Sequence, residues 1–192
     1  MPGRIAVFCS GNGSNFEAIL TAIRRKKLRA EVAVMVCNDP KAFAVTRANK
    51  HGVPVAVLPS KLFASRKEHE KLIISILRDL RVDAVVLAGY MRIFTPFFIK
   101  AYKGRVLNIH PSLLPAFKGA HAIRDTYAAG VKETGVSVHL VTAALDAGPV
   151  LARAKVKRTS ADTVESLEKK IHRAEHALYP KAIGNFLKKL RN

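Results

Sequence analysis

Asn108 and His110 stand two residues apart in a short apolar run, Val106-Leu107-Asn108-Ile109-His110. Residues i and i+2 of a strand face the same way, so this run aims an amide and an imidazole at one point. An amide can hydrogen-bond a developing oxyanion, and an imidazole can move a proton near neutral pH. Side by side they suit acyl transfer. Pro111 ends the strand because it lacks an N–H, while Pro115 and Gly119 stiffen and turn the loop that follows. A polar cap on a strand end would show the same two residues, so the elements around them must decide.

The first of those elements lies at the start of the chain. Arg4 to Ser10 is a near-continuous apolar run, followed by Gly11-Asn12-Gly13-Ser14-Asn15. Phe16, Ile19, Leu20 and Ile23 then recur at helical spacing. Strand, glycine loop and helix together aim free backbone N–H groups at an anion. A dinucleotide fold would need a third glycine where Phe16 stands and an acid at the end of the second strand, where only Asp39 offers itself. A monophosphate site fits better, and a tight turn without a ligand is the remaining alternative.

The same pattern continues. Glu31–Cys37, Val53–Leu58 and Asp83–Ala88 read as strands. Pro40–His51 and the stretch after Ser65, with its capping spacing to Glu68, read as helices, and a short helix spans Pro96–Tyr102. Apolar strands alternating with helices indicate a doubly wound, Rossmann-like α/β fold: a mostly parallel sheet with helices on both faces. Ligands bind such sheets at the carboxyl ends of the strands. The loops 11–15, 60–66, 89–94 and 108–119 all fall at that end. Beyond a helix at His121–Gly130, the runs Gly135–Thr142 and Pro149–Val156 form a hairpin-like pair whose joint carries Asp146. A long helix then starts near Asp162-Thr163, and Pro180 is expected to kink or divide it. The chain, 1–192, reads as one domain.

Composition adds bounds. No apolar run reaches the roughly 18 residues of a membrane span. Cys9 and Cys37 are the only cysteines, lie in strand-like runs, and read as free buried thiols of a reducing cytoplasm. No metal site is expected. With 33 Lys+Arg against 14 Asp+Glu the formal charge is +19, a balance that could attract nucleic acid. The basic residues are scattered, however, and no aromatic ladder interleaves with them, so a solvated basic surface is the better account. Such a surface would still gather a phosphorylated or polyglutamylated small molecule.

Taken together, Gly11-Asn12-Gly13-Ser14-Asn15, Ala88-Gly89-Tyr90-Met91-Arg92-Ile93, Asn108-Ile109-His110-Pro111-Ser112-Leu113-Leu114-Pro115 and Leu145-Asp146-Ala147-Gly148-Pro149 closely resemble the phosphoribosylglycinamide formyltransferase family of purine biosynthesis. The likeness runs from Ile5 to about Phe186. It implies transfer of the formyl group of 10-formyltetrahydrofolate to the amine of glycinamide ribonucleotide, by a monomer or homodimer in the cytoplasm. It further implies Asn108, His110 and Asp146 as the catalytic trio, with Asp146 keeping His110 charged and relaying a proton. Gly11, Asn12, Gly13, Ser14 and Asn15 would cradle the ribonucleotide phosphate, and Glu175 would hold its ribose and glycinamide end. Arg66, Met91, Arg92, Ile93, Phe94, Val106, Asn108, His139 and Asp146 would form the folate pocket, with Arg66 facing the glutamate tail. On this reading residues 1–105 form the ribonucleotide half and 106–192 the folate and catalytic half. Methionyl-tRNA formyltransferase and formyltetrahydrofolate deformylase share parts of the pattern, and a non-catalytic phosphate-binding module remains a third alternative. Of the other histidines, His51, His69, His172 and His176 are assigned no chemistry.

Overall fold

The computed structural model describes residues 1–191. Seven strands form one sheet: β1 (Gly3–Cys9), β2 (Ala30–Cys37), β3 (Val55–Val57), β4 (Ala84–Leu87), β5 (Val106–His110), β6 (Glu133–Leu140) and β7 (Val150–Lys157). Their spatial order is β3-β2-β1-β4-β5-β6-β7. The first five are parallel, and β6 and β7 run antiparallel to their neighbours. The doubly wound sheet with a closing hairpin is therefore the one the sequence indicates. The strand order reverses between β1 and β4, which makes their carboxyl ends the switch point where such sheets take ligands.

Burial on both faces explains the unbroken apolar strands. Ile5, Val7 and Cys9 join a cluster with Phe16 and Ile19 of α1 (Ser14–Arg24) and with Leu167, Ile171 and Ile183 of α6 (Val164–Lys189). Ala44 and Ala48 of α2 (Phe43–Lys50) pack into the same layer, as does Tyr127 of α5 (Ala122–Ala128). Ala6 and Phe8 point the other way, against Ile73 and Leu77 of α3 (Arg66–Asp79) and Phe98 of α4 (Pro96–Ala101). Each fully buried Phe, Leu or Ile contributes about 1.5–3 kcal/mol. These two layers hold the strand ends rigid beneath the loops that matter.

The ends of the elements follow their sequence signals with small shifts. Ser65 caps α3 by accepting the Glu68 backbone N–H at 3.1 Å. Thr163 and Ser166 cap α6 reciprocally. α2 begins at Phe43, not at Pro40, because Asp39, Pro40 and Lys41 make a turn in which the Lys41 N–H donates to the Asp39 carboxylate at 2.9 Å. Pro180 does not divide the last helix, which runs on to Lys189. The proline removes one backbone bond, but the adjacent Tyr179 hydroxyl anchors the helix by donating to the carbonyls of Leu87 and Leu107 at 2.8 and 3.2 Å. Among the described residues no helix is long and apolar enough to cross a membrane.

Candidate active site

The glycine loop is built by β1, which delivers it, and by α2, which braces it. Gly13 occupies the N-cap of α1 in the left-handed region (φ 74°), and no side chain caps the helix. The first-turn N–H groups are thus left for a ligand. A side chain at Gly13 would be strained by its φ, and its Cβ would sit 2.8 Å from the Ala44 Cβ. Ala44 N–H donates to the Gly11 carbonyl at 3.1 Å. Arg47, also on α2, donates to the Asn12 backbone and side-chain oxygens at 2.9 and 3.1 Å. Arg47 was not foreseen, because nothing local in the sequence ties it to a loop 35 residues earlier.

Asn15 and Glu175 meet across the molecule. The Asn15 Nδ2 donates to the Glu175 carboxylate at 2.9 Å, and His172 Nδ1 contacts the same oxygen at 2.8 Å. Glu175 is 4% exposed, so it is no ordinary surface charge on a helix. His172 also lies 3.5 Å from Glu168. The spacing of Glu168, His172 and Glu175, at i, i+4 and i+7, places them on one helix face, a signal the sequence itself carries. His51 similarly finds Glu17 at 2.9 Å.

The reaction centre sits on β5 and the hairpin. Asn108 pairs in register with His139, and His110 with Ser137. Nε2 of His139 lies 3.1 Å from Nδ2 of Asn108 and 3.4 Å from Oδ1 of Asp146. Asp146 Oδ2 is 3.5 Å from Nδ1 of His110 and accepts the Gly119 N–H at 2.9 Å. The loop that leaves β6 beside Leu107 therefore doubles back along β5 to bring its carboxylate to His110. Asp146 itself has a left-handed backbone (φ 46°), a conformation aspartate tolerates better than bulkier residues. Burial alone would raise its pKa, but the hydrogen bonds from His139 and the Gly119 N–H, with the two neighbouring histidines, outweigh burial and hold it below the usual value. His139, expected only on a pocket wall, is the link between amide and carboxylate.

The proline loop is fixed in place by polar contacts. His110 Nε2 donates to the Phe117 carbonyl at 2.7 Å. Ser137 Oγ donates to the Ser112 carbonyl at 2.7 Å and accepts the Leu114 N–H at 3.0 Å. Arg153 of β7 donates to the Leu114 carbonyl at 2.9 Å. Asn108 is half-buried, while His110 and Asp146 are 4% and 9% exposed.

On the expected folate side, Met91 and Ile93 present apolar surface, 71% and 64% exposed, beside exposed Arg92. Arg66 donates to the Ile93 carbonyl and so ties the start of α3 to this loop. Phe94, expected on the pocket wall, turns inwards instead and stacks on Phe98 with ring centroids 3.8 Å apart. Phe8 and Phe98 offer it an aromatic layer that solvent does not. Val106 is 1% exposed and faces the core. A cleft of about 720 Å³ between α1 and α6 reaches Ser14 and Arg47 but none of the trio, so it is not the reaction centre.

This geometry has close counterparts. The Formyl transferase family model matches residues 3–183. Phosphoribosylglycinamide formyltransferase of Bacillus subtilis (strain 168) is 41% identical, over 96% of this chain and 94% of its own. The enzyme of that name from Escherichia coli (strain K12) is also 41% identical, over 95% of this chain and 86% of its own. The crystal structure of glycinamide ribonucleotide transformylase 1 from Geobacillus kaustophilus superposes with a TM-score of 0.95 at 44% identity, over 97% of this chain and 100% of that one. Likeness of this extent in sequence and fold, across a chain whose β5 and following hairpin carry an amide, an imidazole and a carboxylate in one row, places the chain in the phosphoribosylglycinamide formyltransferase family.

Proposed function

We propose that this chain transfers the formyl group of 10-formyltetrahydrofolate to the amine of glycinamide ribonucleotide, a one-carbon step of purine biosynthesis, and that Asn108, His110 and Asp146 do the chemistry. The observation that carries the assignment of these residues is the row Asn108–His139–Asp146–His110, in which each neighbour lies within 3.5 Å of the next.

The amine attacks the formyl carbon, the new C–N bond forms, and the carbonyl oxygen becomes an oxyanion. The Asn108 amide and the Nε2–H of His110 donate to that oxygen. In the free enzyme Nε2–H is held by the Phe117 carbonyl, so the formyl oxygen replaces one acceptor by another and no donor is left bare. Asp146 takes the proton that the amine loses and passes it through water to the folate nitrogen as its bond to the formyl carbon breaks. Tetrahydrofolate and the formylated ribonucleotide leave. His139 stands with its Nε2 against both the amide and the carboxylate and hydrogen-bonds one of them at a time. No covalent enzyme intermediate is required.

The uncapped N-terminus of α1, with Gly11, Asn12, Gly13, Ser14 and Asn15, receives the phosphate, and Glu175 faces the ribose and glycinamide end. Folate lies across Met91, Arg92 and Ile93 and beside Asn108, His139 and Asp146. The buried Phe94 and Val106 contribute through backbone groups and packing, and Arg66 lies toward the glutamate tail. Residues 1–105 thus supply most of the ribonucleotide site and 106–192 the folate and catalytic side, with Glu175 crossing from the second to the first. Buried free Cys9 and Cys37 suit a reducing cytoplasm. The working unit is a monomer or homodimer, which sedimentation resolves.

The test is an absorbance assay of folate deformylation with and without glycinamide ribonucleotide. Turnover that requires the ribonucleotide is the expected result. Equal turnover without it would mean hydrolysis and overturn the transferase reading.

A further inference from the structure

Among the described residues the buried carboxylate of Glu175 has two N–H partners, and they converge on one of its oxygens: Asn15 Nδ2 at 2.9 Å and His172 Nδ1 at 2.8 Å. Among the described residues no lysine or arginine nitrogen lies within 4 Å of it. Of the described residues, His172 is the one basic side chain in contact with it. A carboxylate taken out of water needs a charged partner, or it takes up a proton or turns away.

The consequence falls on Asn15. Its Nδ2 is committed to Glu175, which leaves Oδ1 buried and without a partner. The amide is therefore held in one orientation beside the glycine loop, with its buried acceptor unpartnered. A ribonucleotide offers hydroxyl and amide donors. If Glu175 became protonated or left, nothing would fix which end of the Asn15 amide faces the ligand.

We propose that His172 is a positioning residue for the ribonucleotide: its imidazolium, held between Glu168 and Glu175, fixes the carboxylate that orients Asn15, so loss of its proton weakens ribonucleotide binding without slowing formyl transfer. The inference rests on the reading that the glycine loop and Glu175 hold the ribonucleotide.

The direction of the pH effect follows from the surroundings. On its own helix His172 faces Glu175, Glu168 at 3.5 Å, and the stacked ring of His176 with centroids 6.3 Å apart. α1 contributes uncharged Asn15 through Glu175, and Arg47 of α2 acts on His176. The hydrogen bond to Glu175 raises the pKa of His172, burial opposes it, and the charges of Glu175 and Glu168 add to the rise; the net shift is upward from 6.5. Burial pushes His176 the other way, so His176 is neutral where His172 is charged. The upward shift extends the pH range over which His172 is a cation, and that cation is lost as the solution becomes basic.

The experiment measures KM for glycinamide ribonucleotide and kcat, at saturating 10-formyltetrahydrofolate, from about pH 6 to pH 8.5, where histidine titrates and lysine does not. Wild type is compared with His172→Lys and His172→Ala. The ribonucleotide titrates too, so the informative quantity is the ratio of wild-type KM to His172→Lys KM. That ratio should rise about fivefold across the range, the size of one charge-assisted hydrogen bond reduced to a neutral one. His172→Ala should raise KM by roughly fivefold to tenfold at neutral pH and keep kcat within about twofold. A constant ratio, or a His172→Ala enzyme with wild-type KM, overturns the proposal. Melting curves check the fold, and should His172→Ala not fold, the His172→Lys ratio decides alone. Asn15→Ala separates the two readings. If it leaves KM unchanged, the ribonucleotide assignment of the loop fails; if it raises KM while His172 variants do not, only the role of His172 fails.

Discussion

In the proposed mechanism Asn108 and His110 act through donors, so their removal should be felt in turnover. Deleting one donor to an oxyanion typically costs about 10²–10³ in rate. Asn108→Ala and His110→Ala are each expected to lose at least about 10²-fold in kcat while their circular dichroism stays that of wild type; near-normal turnover in either would remove the trio. Asp146 carries a different signature. Its folded carboxyl is more acidic than the usual 3.8 because hydrogen bonds from His139 and Gly119 overcome burial. A depressed carboxylate contributes stability above its ordinary pKa and loses it as pH falls through the folded one. The melting temperature of wild type relative to Asp146→Asn should therefore fall as pH drops below about 4; no fall in that range would contradict the assignment. At this scale the sequence showed Asn108, His110 and Asp146 as residue types in a recognisable order. It did not show that His139 would join them, because strand alternation says which face a ring takes and not which neighbours it meets. The inward turn of Phe94 was not legible either, because besides its near neighbour Phe98 it depends on Phe8 of β1, which is distant in the chain.

The hairpin β6–β7 has to place a carboxylate to within a fraction of an ångström, and one glycine permits it. A Cβ on Gly148 would lie 1.8 Å from the Leu140 carbonyl oxygen, beside the Leu140 N–H to Pro149 carbonyl bond of 2.9 Å. Gly148→Ala must open that junction. We expect it to cost about 2 kcal/mol or more in urea unfolding and to lower kcat, since Asp146 is two residues away; an unchanged kcat would mean the loop adjusts independently of the junction. The existence of all seven strands was legible from apolar runs, and the parallel direction of the first five from the intervening helices. Boundaries moved by one to three residues where side chains and turns compete, as Asp39 does at the start of α2. The unbroken course of α6 through Pro180 was not legible. It depends on Tyr179 reaching two strand carbonyls far away in sequence.

Across the whole molecule, the charge of +19 surrounds a site that takes a phosphorylated substrate and an acidic co-substrate. Such a field speeds encounter and is screened by salt, with a Debye length of about 10 Å at 0.1 M and 3 Å at 1 M. Raising ionic strength at constant pH should lower kcat/KM for the ribonucleotide several-fold while kcat holds steady; a salt-independent kcat/KM would show that the basic surface plays no part in capture. The same distribution of charge bears on the borders of the sheet. One border is β3, only three residues long, and the other is β7, which exposes Lys155 and Lys157. Short or lysine-bearing edge strands discourage a second chain from adding to the ladder. A protein that is 49% hydrophobic is thereby kept from growing edge to edge into aggregates, and its open strand ends are left to small molecules.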